Sequence, residues 1–282
     1  MKLEHSQFIK FNRLKRLLLS AVLTLIGLFD VISRGRFFRK ANNVVLFHEI
    51  SDTPCLLSRY RNTSISPGKA FRLCNQLAML NERVSGYKGT IHLTFDDGFK
   101  NILPVIDFLI EKDVKTTIFV NPGTIELGVN ADSTDLAQSI GLPIKYAATR
   151  HFQGEYLSVN DLKTLIDCHP KVNIGDHLYQ HQNAQKMALK EFRICLMNSS
   201  AFFKRLSVEV RHFAWPYGKT SQAFDGDLIE FGLTEVYLGD LKWLKRLPQG
   251  QFPRTQVSDS RYQILEVRGR LLLNRLFTLT EV

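Results

Sequence analysis

Three short apolar runs in this chain end abruptly in side chains that carry charge or imidazole, and this pattern limits the fold more than any other feature. Asn43 to Phe47 (NVVLF) is followed by His48, Ile91 to Phe95 (IHLTF) by Asp96, Asp97 and Gly98, and Val172 to Gly175 by Asp176 and His177. Such short runs, rich in β-branched and aromatic residues, suit buried strands. Thr116 to Val120 (TTIFV) and His212 to Ala214 supply further strands. Helical patterns lie between them. One opens at Ser66, another spans Leu103 to Ile110, a third runs from Leu157 to Ile166 with Ser158 as cap, and the longest covers Ala184 to Leu206. Alternating strands and helices predict a parallel α/β sheet, either doubly wound or closed into a barrel. In both, ligands bind beyond the carboxyl ends of the strands, which is where the polar residues fall. Asn121 to about Gln153, rich in Gly, Asn, Asp, Ser and Thr, reads as a long excursion.

The charge is uneven. Of the formal +10, +7 falls between Met1 and Asn43, where nine Lys and Arg face only Glu4 and Asp30. A nucleic-acid enzyme would carry its basic residues on the folded body, so no nucleic-acid partner is expected, and no protein partner either. Leu17 to Phe29 is a thirteen-residue apolar run, short of the ~20 residues a spanning helix needs. Arg13, Lys15 and Arg16 precede it and Arg34, Arg36, Arg39 and Lys40 follow, which suits a helix lying on an anionic lipid surface. A secretory signal and an ordinary core helix are the competing readings; no small-x-small cleavage site follows the run. Residues 1–42 are therefore expected to be a membrane-associating segment and 43–282 a single catalytic domain. Cys55, Cys74, Cys168 and Cys195 form no C-x-x-C pair, so no thiolate metal site is expected.

Asp96 and Asp97 would raise each other's pKa at the end of a buried strand unless a cation intervened. His177 and His181 stand four residues apart, a spacing that presents both imidazoles on one side of a helical turn and is used for divalent metals. With one of the aspartates they make a three-ligand site that leaves room for water. Each signal has a bland counterpart. Asp-Asp-Gly is also good turn chemistry, and an isolated H-x-x-x-H is more often an exposed polar face. At the ends of two predicted strands, the pair is harder to dismiss.

These residues also resemble a known family. LTFDDG (Leu93 to Gly98), with the helix and TTIFV strand after it, looks like the first motif of the polysaccharide deacetylases, carbohydrate esterase family 4. IGDHLYQH (Ile174 to His181) resembles the second motif. FAWPYG (Phe213 to Gly218) resembles the third, as found in the branch that includes the poly-N-acetylglucosamine deacetylases. The motifs stand in family order, and the resemblance runs from about Asn43 to about Val257. It implies an irregular (β/α)7-type barrel, here with an N-terminal helical extension. It also implies a metal-dependent hydrolase that removes N-acetyl groups from an amino sugar in a polysaccharide or glycan precursor.

Carried onto this chain, the resemblance implies Asp96 as general base and Asp97, His177 and His181 as ligands of a divalent ion, with zinc the first choice. The Tyr217 backbone N–H would stabilise an oxyanion, and Trp215, Pro216 and Tyr217 would wall the groove, with Trp215, Tyr217 and Phe213 offering faces for a sugar ring. The family's late Leu-x-His acid has no counterpart after His212. Leu46-Phe47-His48 offers the same pattern on the first strand, which makes His48 the expected acid. Leu178 replaces a hydroxyl residue between the histidines, removing a brace for the metal loop. Ala214 stands where many members have an Arg on the catalytic Asp, and Arg254 is the candidate to replace it. These departures motivate one alternative, a silent saccharide-binding module; a hydrolase of another non-peptide C–N bond is a second. The expected location is the membrane of a bacterial cell envelope, on either face.

Overall fold

The computed structural model describes residues 20–28, 42–85, 90–240, 250–257 and 263–278. Seven parallel strands close into a barrel in sequence order: β1 (Asn42–Phe47), β2 (Thr90–Phe95), β3 (Lys115–Val120), β4 (Val172–Asp176), β5 (His212–Ala214), β6 (Glu235–Asp240) and β7 (Gln251–Gln256), with β7 pairing back onto β1. After their first residue β2 and β3 are buried throughout, because helices cover the outside and side chains fill the inside. That is why these strands read as apolar runs rather than alternating ones.

The helices are α1 (20–28), α2 (Leu56–Arg61), α3 (Pro67–Ser85), α4 (Leu103–Glu111), α5 (Pro122–Leu127), α6 (Ala131–Ser139), α7 (Ile144–Ala147), α8 (Arg150–Gln153), α9 (Val159–Cys168), α10 (Leu189–Arg205), α11 (Asp225–Glu230) and α12 (Gln263–Thr278). Ser158 caps α9 as expected, in a reciprocal box with Asp161. The excursion after β3 differs from its prediction. It folds as the four short helices α5 to α8; α5, α7 and α8 are too brief to show a 3.6-residue pattern, and α6 carries a single large apolar residue, Leu136.

One core lies between the barrel and α3, α4 and α9; Leu77, Phe95, Ile106 and Leu162 belong to it. A second gathers Leu178, Phe192, Trp215 and Phe224 beneath α10 and α11. Inside the barrel Phe119 and Tyr237 pack 5.0 Å apart, and the Arg254 guanidinium lies 5.5 Å over the Phe119 ring. All four cysteines are free.

Most of the basic N-terminal segment lies outside the described residues. Its described part, α1, packs on α12. Gly27 meets the Leu265 backbone and Gly269 meets that of Leu23, with no space for a Cβ at either glycine. The Ser20 hydroxyl bonds Glu266. Among the described residues no helix is long and apolar enough to cross a membrane.

Candidate active site

The carboxyl ends of β1 to β4 deliver the polar side chains to one rim. β1 and β2 pair in register up to Phe47 opposite Phe95, so His48 and Asp96 leave their strands side by side, and the Asp96 N–H still donates to the Phe47 carbonyl at 2.9 Å. Asp97 then adopts a φ of 69° and Gly98 one of 70°. This left-handed pair turns the chain off the strand, a conformation that Asp tolerates and Gly adopts freely. Both carboxylates are buried.

β4 pairs with β3 up to Val120 opposite Asp176, and the His177 N–H donates to the Val120 carbonyl at 2.9 Å. The expected helical turn from His177 to His181 is not what forms. The segment is a loop in which Leu178 and His181 have φ of 63° and 58°. These two reversals curl the chain tightly enough to bring the imidazole centroids within 4.8 Å, so the four-residue spacing survives by another geometry. Leu178 points into the second core. The brace its position lacks comes instead from Asn121 at the end of β3, whose amide donates to the carbonyls of His177 and Leu178 at 2.6 and 2.9 Å.

Nε2 of His181 lies 3.2 Å from Asp97 Oδ1, and Nε2 of His177 lies 3.5 Å from the same atom. That oxygen is buried without a hydrogen-bond partner. Leaving a buried carboxylate oxygen bare costs roughly 1–3 kcal/mol or more, and a cation shared by these donors removes the cost. The three ligand atoms lie within 4.8 Å of one another. One carboxylate and two imidazoles suit zinc or another divalent ion, so the residues present fit the implied metal.

Electrostatics support the same arrangement. Burial lowers the pKa of both histidines, that of His177 to about 4, so both are neutral and able to ligate near pH 7. Burial opposes ionisation of Asp96, yet Arg254, His177 and His48 together hold its carboxyl below the usual range. For Asp97, burial is likewise outweighed, by His181, Arg61 and His48. Each carboxylate has an arginine on one oxygen: Arg254 Nη1 donates to Asp96 Oδ1 at 2.5 Å, and Arg61 Nη1 to Asp97 Oδ2 at 3.2 Å.

A cleft of about 260 Å³ opens above these groups, lined by His48, Arg61, Asp96, His177, His181, Tyr217 and Arg254 among others. Tyr217, with a φ of 58°, is half-exposed at its edge, 4.7 Å from the His181 ring. Trp215 and Phe213 do not offer faces to a ligand as expected. Both are buried in the second core, where Trp215 stacks on Phe192 with centroids 5.8 Å apart. An aromatic at the end of a strand can turn either way, and here the hydrophobic space beneath α10 takes it. Pro216 is buried as well. A larger cavity of about 420 Å³ lies elsewhere, lined by Asp176, Phe203 and Phe231 among others, and shares no residue with the metal cluster.

Sequence reasoning missed Arg61, Asn121 and Asp132. Arg61 ends α2, Asn121 follows β3, and Asp132 stands in the first turn of α6. An acid after a capping Asn is ordinary helix-start chemistry, and only the folded chain shows what it faces.

A family model described as polysaccharide deacetylase matches residues 83–236, more than half of the chain. The chain belongs to the polysaccharide deacetylase family. Among solved structures, this deacetylase is similar to IcaB from Ammonifex degensii, at 16% identity over 81% of this chain and 97% of that one, with a TM-score of 0.57. It is also similar to the deacetylase PplD from Streptococcus pyogenes (13%, 79% and 95%, 0.58). The de-N-acetylase from Aggregatibacter actinomycetemcomitans is a third (14%, 80% and 99%, 0.57). At these identities the likeness speaks for the deacetylase barrel. No curated protein matches the chain.

Proposed function

We propose that this deacetylase is metal-dependent and removes N-acetyl groups from an amino sugar in a polysaccharide or glycan precursor of the bacterial cell envelope. The observation that supports this most is the bare, buried Asp97 Oδ1 facing Nε2 of both His177 and His181. A divalent ion held there supplies Lewis acidity toward the acetamide carbonyl and acidifies water. Asp96, ionised and with Oδ2 3.6 Å from His177 Nε2, takes the proton of the attacking water. Arg254 keeps Asp96 in the ionised form that this task needs. The Tyr217 backbone N–H stabilises the oxyanion. His48, on the cleft wall, protonates the departing amine.

Acetate release from a panel of N-acetylated saccharides, assayed with and without chelator on samples of known metal content, tests the proposal. Release that chelator stops and zinc restores is expected. Its absence on every N-acetylated glycan would leave a saccharide-binding module, and a different product mass would indicate another C–N bond. Asn121 bracing the loop and Arg254 on Asp96 fill the places of the two sequence departures, which favours turnover.

The N-terminal segment is proposed to hold the enzyme at a lipid surface. Val22, Leu25 and Leu28 of α1 are exposed on the side away from α12, and the charge surrounding this helix in the sequence is strongly positive. Sedimentation with anionic vesicles, abolished by Leu25→Glu, is the expected result.

A further inference from the structure

His181 has two neighbours competing for its Nδ1. Asp132 Oδ2 lies 2.8 Å away and Arg61 Nη2 3.2 Å away, and they demand opposite things. A guanidinium only donates, so a bond from Arg61 needs Nδ1 bare and puts the ring proton on Nε2. A carboxylate only accepts, so a bond to Asp132 needs the proton on Nδ1 and leaves the Nε2 lone pair free. Only the second tautomer can ligate, since Nε2 is the atom that faces Asp97. His177 offers an internal comparison: its Nδ1 lies 2.8 Å from the Ala214 carbonyl, which cannot donate.

We propose that Asp132 is a positioning residue of the metal centre, which accepts the Nδ1 proton of His181 against the competing Arg61 and so keeps Nε2 available as a ligand. The proposal rests on the metal centre proposed above. Asp132 is suited to the role because it is fixed before any ligand arrives. It is buried at the first turn of α6, and its N–H is held by the Asn130 side chain at 2.9 Å. The Asn130 N–H is in turn held by Gln153 at 3.0 Å. Arg61 and the Tyr217 hydroxyl also contact its carboxylate. The Arg61 guanidinium is thus shared among Asp132, Asp97 Oδ2 and the imidazole rather than committed to the ring alone. The excursion after β3 thus contributes a carboxylate–histidine support of the kind that orients metal-bound histidines.

The test uses the full chain with two measurements. In metal-free protein, long-range ¹H–¹⁵N spectra of the histidine rings report each tautomer. Wild type is expected to show His181 and His177 both protonated at Nδ1. Asp132→Ala moves His181 alone to the Nε2-protonated form, and Arg61→Ala leaves it unchanged. Zinc affinity, measured by chelator competition, is expected to fall by about 10- to 100-fold in Asp132→Ala. Asp132→Asn, which keeps the shape, tests the same point if the alanine variant does not fold, and is expected to lose several-fold. If Asp132→Ala keeps both the Nδ1–H tautomer and wild-type zinc affinity, the assignment is overturned. If wild type itself takes up no zinc, the metal centre is what fails.

Discussion

Arg254 donates to Asp96 across 158 positions of sequence, at 2.5 Å, in a place where neither side chain is exposed. The pair is a late strand reaching across the closure of the barrel to an early one. It replaces in space what Ala214 lacks in sequence.

Removing that guanidinium by Arg254→Met should raise the Asp96 pKa, because burial then acts with less opposition. The acid limb of the pH–rate profile is expected to move to higher pH while zinc content stays unchanged. Asp96→Asn should abolish turnover yet leave the ion in place, and His177→Ala should lose it. Elemental analysis beside the kinetic assay separates these outcomes.

His48→Ala is expected to lower kcat by ~10²-fold or more with metal content intact. An unchanged rate would leave His48 a structural end to β1.

Trp215→Ala tests the core position of this side chain. Truncating a buried Trp costs about 3–5 kcal/mol, so the urea midpoint should fall substantially. In the folded fraction, KM for the saccharide should change little, whereas a ring-stacking residue would show the reverse.

Acid should destabilise the metal-free protein through its histidines. Burial lowers the pKa of His48, His92, His177, His181 and His212. The unfolded chain therefore binds more protons than the native one once pH falls below about 6.5, and stability drops with it. Asp176 acts oppositely: burial raises its pKa to about 7, so the native state holds a proton there that the unfolded chain has lost. Urea midpoints measured from pH ~7.5 to ~5.5 should decline, and Asp176→Asn should steepen the decline.

The parallel sheet was legible because a strand buried on both faces leaves an unbroken apolar run and polar residues close β1, β2 and β4; its closure into a barrel was what the resemblance implied. His177, His181 and one of the two aspartates were legible as a three-ligand set; that the aspartate is Asp97 came from the resemblance. The backbone that assembles them was not. A four-residue spacing is compatible with a helical turn or with a loop reversed at Leu178 and His181, and periodicity cannot distinguish them. Trp215 and Phe213 were misplaced because an aromatic beside a cleft and one beneath it read alike. Asp132 and Arg61 belong to short elements with no pattern, and their roles exist only through what the barrel places next to them.

The seam between β1 and β7 has a consequence for synthesis. A chain still emerging from the ribosome can have Asp96, Asp97 and both histidines of the candidate metal site in hand while residues 251–256 remain in the exit tunnel. Until that last strand docks, the β1 edge that carries His48 is unpaired and Asp96 is without its guanidinium. The candidate site is therefore incomplete until β7 joins β1, however early its other residues are made.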